Sequence, residues 1–163
     1  MSGARRLMLM SVRPRFVDAL LDGRKTVELR RTRPLVYLDQ PVAIYATVPV
    51  AAVVALATIT RVRESSPTAI WEALGPATGI PRREFREYYR GSRSAVAIQL
   101  DDVRALDAPV SLETLRSRGP FQPPQTWHFL EADDVRRLLG QHQARDELIK
   151  AINGVSPSTG VLG

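Results

Sequence analysis

The chain has 163 residues, 44% hydrophobic and 25% charged, with a net charge of +6. That is the make-up of one globular domain with its own core, and it excludes a disordered or fibrous chain. No apolar run approaches the roughly 20 residues of a membrane span, there is no cysteine for disulfide or thiolate chemistry, and two histidines, His128 and His142, make a histidine-rich metal site unexpected.

In chain order, "RRLMLMSV" (5–12) reads as a short buried strand. Its apolar part is too short for a signal segment and no small-residue cleavage site follows, so a cytoplasmic location and no cofactor or metal are expected. "RPRFVDALLDG" (13–23) predicts a helix with Pro14 in its first turn, Phe16, Ala19 and Leu20 on one face, and Gly23 as its stop. "TVELRR" (26–31) alternates with period two, which puts Val27 and Leu29 on one side and Glu28 and Arg30 on the other. Residues 41–49 and 51–64 are β-rich runs divided by a proline turn. Residues 66–75 predict a helix begun by Ser66 and Pro67 and ended by Gly75, and 81–91 a second short one. A strand follows at 94–106, then a helical turn at 111–117 capped by Ser111. A proline-rich loop leads into a strand that alternates Trp127 and Phe129 with polar neighbours. Residues 133–152 predict one or two helices with Asp133 and Asp134 at the favourable end. Residues 153–163 have no periodic apolar pattern and are expected to be a frayed tail. The order does not sustain strand–helix alternation, which argues for an α+β fold, a small mixed barrel of five or six strands with helices around it, over a doubly wound sheet.

The charge is unevenly placed. Residues 1–33 hold nine basic side chains against three acidic ones, and the remaining residues carry 14 of each sign. The whole net charge therefore sits in the first fifth of the chain, which favours a polyanionic partner whose phosphates release counterions on binding. Within this segment the basic residues are arginines except Lys25, and only Lys150 repeats the choice. An exposed ion pair on a strand edge would explain Glu28 and Arg30 equally well, at about 0–1 kcal/mol.

The spacing of Ser11, Val12, Pro14, Gly23, Lys25, Glu28 and Arg30 resembles the hallmark of the ASCH domain family, an S-[IV]-x-P opening, a helix, then G-x-K-x-x-E-x-R. The likeness extends over residues 5–131 and implies a PUA-like β-barrel for 1–131, with 132–152 as a C-terminal helical extension of the same domain. It also implies a cleft lined by the Lys, the Glu and the Arg, and a role in binding nucleic acid, RNA rather than DNA. Some members are ribonucleases. One branch hydrolyses acetylated cytidine with a Lys, a Thr and a Glu; this chain has Glu28 at the place of that Thr and offers no second Glu between Ala73 and Ile80.

On this reading Glu28, held between two cations, accepts from a base amine, while Lys25 and Arg30 take phosphate or carbonyl oxygens. Lys25, its stem swinging in from the turn and its pKa depressed by cationic neighbours, and Glu28 are the candidate acid–base pair. Ser11 is a candidate hydroxyl or a cap for the helix at Pro14. Arg13 and Arg31 extend the positive wall. Tyr45 and Trp127 could stack on a base or pack in the core, whereas Trp71, Phe16, Phe85 and Phe129 are expected in the core. His128 and His142 are expected at the surface. "RREFREYYRG" (82–91) is either a second nucleic-acid patch or a solvated face on which Glu84 and Glu87 pair its arginines. A homodimer through the C-terminal helix is a further arrangement this amphipathic segment permits.

Overall fold

The apolar run at the start becomes a strand buried at every position, β1 (Leu7–Val12). Such uniform burial requires cover on both faces, and the alternation divides it: Leu7 and Leu9 enter one core cluster, Met8, Met10 and Val12 another. The computed structural model describes residues 5–154 of the chain. After β1 come the helix α1 (Pro14–Asp22), β2 (Val27–Arg30), β3 (Gln40–Ala46) and β4 (Ala52–Ser65). Helix α2 (Pro67–Leu74) runs into a 3₁₀ turn (Gly75–Thr78), followed by α3 (Arg82–Tyr88) and the long strand β5 (Ala95–Ser111). The short helix α4 (Leu112–Arg116), β6 (Trp127–Leu130), α5 (Ala132–Leu139) and α6 (Arg145–Asn153) complete the described chain. Of the expected tail, residues 155–163 lie outside the described residues.

One mixed sheet holds all six strands in the order β2-β5-β4-β3-β1-β6. Only β1 and β3 run parallel, because α1 and β2 form the crossover between them. The expected barrel is therefore corrected: the sheet is open, and β2 and β6 are its two end strands with no ladder between them among the described residues. Its β4–β5 ladder shifts register three times, at Val53/Ala55, Leu56/Thr58 and Ile59/Arg61, which bends the strands. Between β2 and β1 the contact is a side chain, the Arg30 guanidinium donating to Ser11 O at 2.8 Å.

Three core clusters follow from strand parity. One sheet face packs Met8, Met10, Ile44, Ile59, Ile98 and Leu100 with Val17 and Leu20 of α1. A second puts Leu7, Leu9 and Leu56 beneath Leu115, Val135, Leu138, Leu148 and Ile152 of α4 to α6. A third joins Val27 and Leu29 of β2 to Ile70 of α2 and to Phe85 and Tyr89 on and just after α3. The C-terminal helices thus bury their apolar face in the chain's own core. Strand β5 runs five residues beyond the expected 94–106, and Ser111 at its end caps α4 by accepting the Thr114 N–H at 3.1 Å. His128, expected at the surface, is half-buried because it pairs with Leu9 in the β1–β6 ladder and meets the Phe121 ring edge-on at 6.1 Å. Its Nε2 is buried without a hydrogen-bond partner in the protein, and burial pushes the imidazole below its usual pKa.

Leu148→Ala on α6, truncating a side chain that is 2% exposed, is expected to cost about 2–5 kcal/mol in urea denaturation. A loss below about 0.5 kcal/mol, the scale of surface changes, would show that the helix is peripheral to the fold.

Candidate functional site

The site begins with the end of α1. Gly23 takes φ +84° and terminates the helix as expected. The chain then turns so that the Lys25 N–H donates to Ala19 O at 3.0 Å and the Thr26 N–H to Ala77 O at 2.9 Å. Lys25 is thereby pinned between α1 and the 3₁₀ turn. Its side chain is 1% exposed, so the expected swinging stem is replaced by a fixed one. Nζ donates to Thr78 O at 2.7 Å, lies 3.3 Å from Glu28 Oε1, and stands 4.9 Å from the centre of the Phe16 ring.

Strand alternation does the rest. Val27 and Leu29 go to the core, and Glu28 and Arg30 share the opposite side. Arg30 Nη2 donates to Glu28 Oε2 at 2.9 Å and to Ser11 O at 2.8 Å, which spans the open seam from β2 to β1. One carboxylate thus joins two cations, all three nearly withdrawn from water. Burial is the main reason the Lys25 amine is pushed below its usual pKa; Glu28 opposes the shift, and Arg30 and Arg15 add only smaller contributions. The expected cause, cationic neighbours, is therefore corrected to desolvation.

Lys25 and its partners form one wall of a cavity of about 560 Å³. The other walls come from Ser11 and Val12 on β1, from Arg13, Arg15 and Phe16 at the start of α1, and from Thr47, Ile80, Glu84, Tyr88 and Gln125. Arg15 donates through both Nη atoms to the two Glu84 oxygens at 2.8 and 3.0 Å, a fork between α1 and α3. This contact lowers the Glu84 carboxyl pKa and raises that of Arg15. Among the described residues no group of three or more His, Cys, Asp or Glu could hold a metal ion.

Five of the seven expected binding residues, Ser11, Arg13, Lys25, Glu28 and Arg30, come together on this cavity. Two do not line it. Arg31 stacks on the Tyr88 ring at 4.6 Å and donates to Tyr88 O. Tyr45 is 2% exposed in the cluster with Leu7, Leu9 and Val53, because its position on β3 alternates towards the α4–α6 layer. Burial pushes its phenol pKa up, against a smaller opposing effect of Arg116. Trp127 packs partly buried against the Met8–Met10 cluster. Ser11 does not cap α1, whose cap is Arg13 without a side-chain bond; its hydroxyl donates to Pro124 O at 2.6 Å instead.

Glu84, Tyr88, Thr47 and Gln125 were beyond sequence reasoning. They stand far along the chain from the motif and carry no spacing that ties them to it. Glu84 supplies the second cavity carboxylate that the segment 73–80 lacks, and it pairs with Arg15 rather than with arginines of its own helix. On α3 only Glu87 behaves as expected, bonded to Arg90 at 2.7 Å.

Gly79 is the one neighbour whose size the site dictates. At φ +71° a Cβ would stand 2.8 Å from the Lys25 Cβ. Gly79→Ala is expected to cost about 1–3 kcal/mol from backbone strain alone, measured by chemical denaturation; a neutral result would show that Lys25 yields. The buried amine also sets a pH dependence. The unfolded chain binds a proton at Lys25 more readily than the folded one, so stability is lost as pH falls from the ordinary lysine value of 10.5 through the depressed one. Lys25→Met should flatten that part of the profile in melts between pH 7 and 10.5; identical profiles would overturn the assignment.

A family model described as a domain of unknown function (DUF365) matches residues 10–118. A protein of Zymomonas mobilis subsp. mobilis named ASCH domain-containing ribonuclease is 32% identical over 136 residues, covering 83% of this chain and 91% of that protein. The crystal structure of ASCH from Zymomonas mobilis superposes with a TM-score of 0.77 at 31% identity, over 84% of this chain and 96% of that one. A serine-to-alanine mutant of the same protein gives 0.76 at 31% identity, over 85% and 97%. Identity and coverage at this level, together with a shared fold and the motif residues assembled on one cavity, establish that the chain belongs to the ASCH domain family.

Proposed function

We propose that this chain binds single-stranded RNA in the cavity between α1, β2 and α3, in a cytoplasmic setting, with RNA preferred over DNA. The carrying observation is the buried Lys25–Glu28–Arg30 triad set in a cavity whose mouth bears Arg13 and Arg15. The buried charges hold the wall in shape, and the exposed arginines meet the phosphates. Phe16 and Tyr88 supply aromatic edges to the same space. Two to four phosphate contacts correspond to a slope of about −1.4 to −2.8 in log K against log salt for a single strand. Fluorescence anisotropy from low to high salt measures it, and binding that ignores salt would count against the reading.

A second reading, that the bound RNA is cut, is favoured by the depressed Lys25 amine and by the name of the Zymomonas relative. In this reading Lys25, once it has given up its proton and left Thr78 O and Glu28, takes the proton of a ribose 2′-hydroxyl. The 2′-oxygen bonds to the adjacent phosphorus as the P–O5′ bond breaks, and the 5′-oxygen takes a proton from water. The products are a 2′,3′-cyclic phosphate and a 5′-hydroxyl end. Lys25→Ala should reduce cleavage by about 100-fold or more, and Lys25→Arg should not restore it, since guanidinium stays protonated. Gel analysis of labelled RNA, with circular dichroism to verify folding, reads the outcome; undiminished cleavage by folded Lys25→Ala would remove Lys25 from the chemistry. Hydrolysis of an acetylated nucleoside is less well served. Position 28 holds a carboxylate, and of the cavity hydroxyls Ser11 is committed to Pro124 O. A homodimer through α5 and α6 would have to use their solvent side, because Val135, Leu138, Leu148 and Ile152 are spent on the core.

A further inference from the structure

We propose that Arg15, with Arg13 beside it, forms a phosphate subsite at the cavity mouth that the Glu84 carboxylate occupies in the unliganded protein and that a bound phosphate takes over by displacing it.

The cavity's charged residues fall into two groups. Lys25 and Arg30 are committed: the Lys25 amine meets Thr78 O and Glu28, Arg30 Nη2 meets Ser11 O and Glu28, and the Lys25, Arg30 and Glu28 side chains are 1%, 12% and 7% exposed. Arg15 and Glu84 are 54% and 42% exposed. A pair so open to water is weak and exchanges readily. Its geometry matters more than its strength. The guanidinium fork meets two oxygens of one carboxylate at 2.8 and 3.0 Å, and the same fork accepts two oxygens of a phosphate. Glu84 therefore stands where a phosphodiester would. Arg13 adds to the positive potential at this point, since it too favours the ionised form of the Glu84 carboxyl.

The pair joins α1 to α3 across 69 positions of sequence, and both residues line the cavity. A strand entering the cavity meets this fork at the rim, ahead of the buried triad. Glu84 then acts as a threshold: a weak monoanion does not displace it, whereas a chain of phosphates does, because each neighbouring phosphate adds attraction to the same cationic mouth. The proposal takes the source of the phosphate from the RNA reading above, but the subsite itself is defined by anion chemistry, so the two can fail separately.

The test compares Glu84→Gln with Glu87→Gln. Both remove one negative charge from α3, yet Glu87 pairs with Arg90 and does not line the cavity. Inorganic tripolyphosphate, titrated by calorimetry, and a labelled 2′-O-methyl 12-mer oligoribonucleotide, followed by anisotropy, are the two probes. E84Q should tighten tripolyphosphate binding by about two- to fivefold, the scale of one exposed ion pair removed from competition, and E87Q should leave it at the wild-type value. In the Arg15→Gln background the gain should vanish. Equal gains for E84Q and E87Q, a gain that survives R15Q, or no tripolyphosphate binding by any variant would overturn the subsite. The predicted pattern with tripolyphosphate but no binding of the oligoribonucleotide would keep the subsite and overturn the RNA reading.

Discussion

Three charges withdrawn from water in one corner of the sheet govern this molecule. A buried ion pair is costly to desolvate and becomes tolerable only when the remaining donors and lone pairs also find partners. Here most do: the Lys25 amine reaches Thr78 O and Arg30 Nη2 reaches Ser11 O, while Arg30 Nε is buried without a partner in the protein. Those two acceptors belong to different elements, so the triad on and beside β2 needs both the 3₁₀ turn and β1 in place. The Arg30 bond ties β2 to β1 through a side chain in a sheet whose end strands, β2 and β6, share no ladder among the described residues.

Around this fixed centre the remaining positive charge takes a different role. Nine basic residues in the first 33 give the chain its net charge, and four of them, Arg13, Arg15, Lys25 and Arg30, converge on the cavity. Two are buried and paired with Glu28, and two stand in solvent where an anion can exchange for a carboxylate. Burial thus separates the charges that shape the site from those that meet a ligand. Lysine at position 25 fits this division. Its Cβ and Cγ pass beneath Gly79, where there is no room even for a methyl group on the turn, and its single amine reaches both Thr78 O and Glu28.

Much of the local structure was legible because local rules govern it. The proline and glycine that bracket α1, the period-two division of Val27 and Leu29 from Glu28 and Arg30, and the Ser66 and Ser111 caps all act within a few residues. Where the reading missed, a distant element had the deciding vote. Tyr45 and His128 lie under layers contributed by α4–α6 and by the proline-rich loop. Ser11, read as a candidate hydroxyl or a cap, lines the cavity and donates to Pro124 O instead of capping α1. Strand β5 ran past the expected 106 and through Pro109, because Val110 and Ser111 pair with Val53 and Ala52 of β4.

By itself the sequence determined the elements, the family motif and the sign of the surface on which a ligand would land. Each depends on spacing along the chain, which is written directly in residue order. Only the tertiary structure decided that the sheet stays open, that Lys25 is buried instead of mobile, and that Glu84 and Tyr88 complete the cavity with it. Those outcomes rest on desolvation and on contacts between residues some 50 to 70 positions apart, as in Lys25 with Thr78 and Arg15 with Glu84. Neither the desolvation of a charged side chain nor a long-range contact has a periodic signature, so both become visible only once the chain has folded.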